Sequence, residues 1–383
     1  MIVYLDNCRT TKLDETVFKE MKSYFTEIYG VPSGIYTLSE KANDAVEKAQ
    51  MKIGIPINAN PQDIIFTSGA TESNNIAIKG IAFANKKRGN HIITTKIEHP
   101  SVIKSCKYLE NNGFKIDYLD VDKDGFIDIE ELKNKISKKT ILVSVQHVND
   151  MTGTIQPIEK IGKILKNKNI YFHVDAASSF GKLPINVKKM NIDLLSISSH
   201  MIHGPKGIGA LYVKQGTKIE PLMHGFESLS NLRPGDENVP GIIGFAKAAE
   251  IAYNEMEKNK KYVTKLRDRL IDSIEKEIPN SFLIGPRKNR SPYNITVSLK
   301  NVEGEAIALQ LDMQGVAAST GSACVSKTLE ANYVLLALGL KHEQTHGSIR
   351  FCLSKYNTIK DIDYAVKALK KAYNNILKIS MFK

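Results

Sequence analysis

Between residues 60 and 215 the chain repeats one pattern, in which short β-rich apolar runs alternate with amphipathic stretches. DIIFTSG, HIITTKIEH, FKIDYLDV, TILVSV, IYFHVDA, LLSIS and GALYV have the length and β-branched content of strands, and helix patterns lie between most of them. Strands separated by helices pair in parallel, so the pattern predicts an α/β fold with a mostly parallel sheet, helices on its faces and functional loops at the carboxyl ends of the strands. A long helix is expected over 240–278, with Pro240 near its start and Pro279 ending it. Beyond Gly285, Pro286 and Pro292 the pattern changes to strand NITVSL, helix EGEAIALQLDM, a glycine-rich loop, strand SIRFCL and a closing helix, which reads as a smaller α+β domain. The expected division is a large α/β domain over 15–264 and a small domain made of 1–14 plus 265–383.

A chain of 383 residues with 42% hydrophobic content can bury cores of that size. It has no apolar run of 18 residues, and its first ten residues lack the basic and apolar regions of a signal peptide. A cytoplasmic location with no membrane partner is therefore expected. The four cysteines, Cys8, Cys106, Cys324 and Cys352, are too few and scattered for a disulfide framework, so each is expected to be a buried apolar residue or a reactive thiol, with Cys106 and Cys352 in the core. The net charge of +12 comes from lysine spread along the chain. Its strongest cluster, Lys258, Lys260, Lys261, Lys265, Arg267 and Arg269, has the spacing of a solvated helix face without interleaved aromatics, which speaks against nucleic acid as a partner.

One motif is set aside. Asp120 to Glu131 has the acid spacing of a calcium-binding EF-hand loop around Gly125, but the segment before it reads as a strand where an EF-hand needs a helix. A polar turn in which Gly125 supplies the bend and Asp128 or Glu130 starts a helix is the expected structure.

Several segments, YLDNCRTT, FTSGATESNN, KIEHPSV, HVDAASSFGKLPI, SISSHMIHGPKGIGALYV, ENVPG, STGSACVS and HGSIRFCLS, resemble the class V aminotransferase family, and most closely cysteine desulfurases of the iron-sulfur cluster assembly type. The resemblance runs nearly end to end and implies a fold like that of type I pyridoxal-phosphate (PLP) transferases. In that family a lysine holds PLP as a Schiff base, an aspartate pairs with the pyridine nitrogen, and a cysteine thiolate takes the substrate's sulfur as a persulfide. Carried over by position, Ala70 and Thr71 resemble the phosphate cradle and His99 the imidazole stacked on the ring. Asp175 resembles the pyridine partner, Ser198 and His200 the groups near the phosphate, and Arg350 the clamp for a substrate carboxylate. Cys324, in a stretch that reads as a loop, resembles the sulfur-accepting catalytic cysteine.

The resemblance also implies departures. Met201 stands where the family has its Schiff-base lysine, and Lys206, five residues on, fills a position that the family does not use for that bond. Asp150 replaces an asparagine and Ser178 a glutamine near the cofactor's phenolic oxygen. Met151 replaces a glutamate, and Asp236 a threonine that reaches a phosphate across the dimer. The leading expectation is therefore a homodimeric homologue that holds no covalent PLP and lacks normal desulfurase activity, docking an iron-sulfur scaffold protein with Cys324 as persulfide carrier or cluster ligand in a shared iron-sulfur cluster. Cys8 joins the candidate cluster ligands with His99, His200 and His203. The alternative is an active PLP-dependent cysteine desulfurase supplying sulfur for iron-sulfur clusters or tRNA thiolation, with PLP held noncovalently through Thr71, His99, Asp175 and His200.

Overall fold

The computed structural model describes residues 2–321 and 332–380. After the short strand β1 (Val3–Tyr4) come β2 (Ile64–Thr67), β3 (His91–Thr95), β4 (Lys115–Leu119), β5 (Thr140–Gln146), β6 (Tyr171–Asp175), β7 (Leu194–Ser198) and β8 (Gly209–Val213). β2 to β8 form a seven-stranded sheet in the order β2-β8-β7-β6-β5-β3-β4. The neighbours from β7 to β4 pair in parallel, and β8 runs antiparallel to both of its neighbours.

The sheet is buried on both faces, and strand alternation sorts its side chains between two cores. Ile93, Val143 and Leu195 pack with Val46, Ile53 and Phe245 from the helices Thr37–Gly54 and Val239–Glu277. Their neighbours Ile92, Leu142 and Leu194 point the other way, toward Val102 and Cys106 of the helix Pro100–Glu110. This is the α/β architecture that the alternation predicts.

The second sheet is built from β9 (Ser281–Ile284), β10 (Asn294–Leu299), β12 (Ser319–Thr320) and β13 (Ser348–Cys352), antiparallel in the order β12-β13-β10-β9, while β11 (Val316–Ala317) pairs in parallel with β1. Leu266 and Leu270 of the long helix cover it together with Ile307 and Leu369. The helix Val239–Glu277 thus serves both cores. It starts where Asn238 accepts the Gly241 N–H at 3.1 Å, with Pro240 in its first turn.

Two readings change. Cys8 and Cys352 are joined as a disulfide, with Cα atoms 5.4 Å apart and 344 residues between them in sequence. Scatter along the chain says nothing about proximity: a bridge between Asp6 and Cys352 sets the N-terminal segment beside β13. Cys352 is therefore buried as expected but is not a lone core thiol, whereas Cys106 is buried and free. β11 and β12 escape the periodicity argument because runs of two residues carry no period, and β9 is not among the predicted strands either.

The Asp120–Glu131 stretch folds as a turn after β4, in which Asp122 accepts the N–H groups of Asp124 and Phe126, each at 2.9 Å, and Asp128 caps the helix Ile129–Lys135. In the basic cluster, Arg269 pairs with Asp363 at 2.6 Å and Arg267 with Asp268 at 2.7 Å. Among the described residues no helix is long and apolar enough to cross a membrane.

Candidate functional site

The carboxyl ends of the parallel strands open on a cavity of about 650 Å³. The turn after β2 brings Ala70 and Thr71, the turn after β3 brings His99, β6 ends on Asp175 and β7 ends on Ser198, just before His200 and Met201. Asp150 and Ser178 line the same cavity, and Arg350 reaches it from β13 of the second sheet. The residues from the seven-stranded sheet meet here because each lies at or just beyond the end of a strand on the same edge. Asp236 does not join them: it is exposed and lines a separate cleft with Tyr24 and Pro240. Cys324 lies outside the described residues.

A hydrogen-bonded chain fixes the centre of the cavity. Asn74 Nδ2 donates to Asp175 Oδ2 at 2.7 Å and to Ser101 Oγ at 2.8 Å. The Ala177 N–H donates to the other Asp175 oxygen at 3.0 Å. Asp175 is thus a mostly buried carboxylate held by two donors, one on each oxygen, and it can accept an N–H from a bound ring. The Ser101 N–H donates to His99 Nδ1 at 3.2 Å, so a neutral His99 carries its proton on Nε2.

Polar atoms beside this chain stand unpaired. Ser198 Oγ and His200 Nδ1 are buried and have no hydrogen-bond partner among the described residues, a costly state unless a ligand pairs with them. Burial, aided by the charges of Lys182 and Lys206, holds the His200 pKa below the usual imidazole range. Gly69, at φ 151°, turns the chain out of β2 in a conformation that side chains resist, and a Cβ there would have only Ser198 Oγ within 4 Å. An open turn with a hydroxyl and an imidazole beside it suits a phosphate, and Asp175 suits a pyridine nitrogen. The residues present therefore fit PLP.

The residues read as departures lie at or near the same cavity, except Asp236. Met201 is buried between this cavity and a smaller pocket that holds Lys182 and His203. Burial pushes the Lys182 pKa down to about 8 and that of His203 to about 4. Lys206 is the one lysine among the described residues that lines the main cavity. Arg350 is 4% exposed and is held by Asp150 Oδ2 at 2.7 Å, with Asp6 Oδ1 at 3.6 Å. The grouping of Cys8 with His99, His200 and His203 as cluster ligands fails, because the Cys8 sulfur is bonded to Cys352 and His203 lies in the other pocket.

Sequence reasoning missed Asn74 and Glu98, although both fall inside quoted motifs. Glu98 is fully buried, accepting from Thr95 Oγ1 at 2.8 Å and the Gln146 N–H at 3.1 Å. Burial, with a smaller push from the charge of Asp175, raises its pKa to about 8. A glutamate just before His99 and an asparagine three residues after Thr71 were the available signals, but nothing in the sequence marks either as buried.

The family model described as aminotransferase class V matches residues 3–365. The chain is 49% identical over 381 residues to the cysteine desulfurase IscS of Dictyoglomus turgidum, covering 100% of this chain and 97% of that protein. It is 46% identical to the cysteine desulfurase IscS of Methanosarcina thermophila, covering 99% of this chain and 93% of that one. A solved structure of a NifS-like protein superposes with a TM-score of 0.92 at 38% identity, covering 97% of this chain and 99% of the other.

These likenesses correct the expectation that the chain holds no covalent PLP and shares an iron-sulfur cluster in its place. The relatives carry the name of the activity that the resemblance ties to covalently held PLP, and the likeness runs end to end. The expectation leaned on Met201 and a few altered contacts, whereas Ala70, Thr71, His99, Asp175, Ser198 and His200 all line one cavity.

Proposed function

The chain belongs to the class V aminotransferase family, and from that premise we propose that it is a working PLP-dependent cysteine desulfurase that supplies sulfur for iron-sulfur clusters, handing it to a scaffold protein. The observation that carries this reading is the pairing of a held carboxylate, Asp175, with the unsatisfied Ser198 and His200 in one cavity. Bound there, PLP supplies an electron sink that weakens bonds at the amino acid's α and β carbons. Thr71, Ser198 and His200 would hold its phosphate, His99 its ring face and Asp175 its ring nitrogen. Asn74 holds Asp175 in place, and a neutral His99 presents an N–H at Nε2. Cys324 would receive the sulfur as a persulfide.

Met201, at the family's lysine position, has no amine to offer. Lys206 lines the cavity and is the residue to which we assign covalent attachment of the cofactor. A homodimer, in which Asp236 approaches the partner's site, belongs to the same proposal.

The test is sulfide release from L-cysteine by the protein loaded with PLP, with a thiol reductant present. Release above that of free PLP, reduced at least tenfold in Asp175→Ala and in Cys324→Ala, is expected. Release no faster than with free PLP would refute the reading.

A further inference from the structure

We propose that the Cys8–Cys352 disulfide is a sulfur-accepting site in its own right, at which hydrosulfide entering from the cavity attacks Cys8 and leaves it carrying a persulfide. The proposal rests on the desulfurase reading only for the origin of the sulfide.

The two ends of the bond are unlike. Cys8 is half-buried and lines the main cavity, whereas Cys352 is fully buried in β13 and does not line it. A nucleophile reaches a disulfide sulfur from the side away from the sulfur that leaves, so access decides which end is attacked. Here that end is Cys8. Arg9, next in the chain, lines the same cavity and brings positive charge that favours an anion such as HS−. Asn294 Nδ2 lies 3.8 Å from Cys8 Sγ and 4.0 Å from Cys352 Sγ, which places a donor beside the sulfur that must leave. In the step, the sulfide sulfur bonds to Cys8 Sγ, the Cys8–Cys352 bond breaks, and its electron pair goes to Cys352 Sγ, which takes a proton from water. The sulfide sulfur is oxidised as the Cys352 sulfur is reduced, so no other oxidant or reductant takes part.

The reverse step is built into the same contacts. The Asn7 N–H and Nδ2 donate to Cys352 O at 3.2 and 2.8 Å, and the Cys352 N–H donates to Leu5 O at 2.6 Å. These bonds hold the N-terminal segment against β13 whether or not the sulfurs are joined, with the two Cα atoms 5.4 Å apart. Cys352 can therefore attack Cys8 again, expel HS− and restore the disulfide. Cys8 carries sulfur while sulfide is abundant and returns it as sulfide falls.

The test gives the PLP-loaded protein no cysteine but an excess of isotopically labelled sodium sulfide without oxygen, then quenches it into denaturant with an alkylating agent for peptide mass mapping. Labelled sulfur removable by a thiol reductant is expected on the Cys8 peptide, about tenfold or more above that on the Cys352 peptide, with Cys352 recovered as an alkylated thiol. Cys352→Ser, which has no disulfide to open, should leave Cys8 unlabelled. Label chiefly on Cys352, equal label on Cys8 in Cys352→Ser, a disulfide that sulfide opens only after denaturation, or two free thiols before sulfide is added would each overturn the proposal. Because the sulfide is supplied from outside, a failure to release sulfide from L-cysteine strikes the desulfurase reading and leaves this result standing.

Discussion

At the scale of single residues, the site depends on where charge is allowed to reside. Burial, with a smaller push from the charge of Asp175, raises the Glu98 pKa to about 8 and keeps it protonated at neutral pH. The consequence for stability has a definite sign. Below pH 4.5, the ordinary value, Glu98 is protonated in both folded and unfolded chains; between 4.5 and about 8 only the unfolded chain gives up the proton. Stability from this group is therefore complete below that window and is lost through it as pH rises, at a limit of about 1.4 kcal/mol per pH unit. Glu98→Gln keeps the acceptor and cannot ionise, so denaturant midpoints measured from pH 5 to pH 8 should fall less than in the unaltered protein; equal slopes would show that Glu98 does not hold its proton. That Asp175 and Ser198 end strands, with His200 just beyond, was legible in the sequence because they lie in β-rich runs. Glu98 and Asn74 were not, since their roles come from burial and from partners across the chain.

At the scale of elements, legibility followed length. The helix Val239–Glu277 could be placed to within a residue or so because prolines mark both ends, and the buried strands could be read from their β-branched runs. A two-residue strand such as β11 exists only through its pairing with β1, which no local pattern reveals. The Cys8–Cys352 bond is the extreme case, since it joins the N-terminal segment to β13 across almost the whole chain. Closing so long a loop is expected to stabilise by about 2–4 kcal/mol. Digestion without reductant should yield one linked pair of peptides holding Cys8 and Cys352, and Cys8→Ser should lower the thermal midpoint to that of the reduced protein. Separate peptides, or a midpoint unmoved by both treatments, would count against the bond.

At the scale of the molecule, the seven-stranded sheet provides the floor of the cavity and the second sheet brings Arg350 over it. We propose that the chain divides functionally at 15–264 against 1–14 plus 265–383, because β1 pairs with β11 and the first core ends near the middle of the long helix. The general resemblance was legible because strand ends, turns and glycines recur in order. The consequence drawn from Met201 is overturned by relatives that carry the name cysteine desulfurase over the full length of the chain. The account stands or falls on whether this cavity holds PLP covalently without a lysine at 201. The most direct measurement is borohydride reduction of the PLP-loaded protein followed by peptide mass mapping. A phosphopyridoxyl group fixed on Lys206 and absent in Lys206→Ala is the predicted result, whereas a chain left unlabelled, or labelled only on surface lysines remote from the cavity, would contradict it.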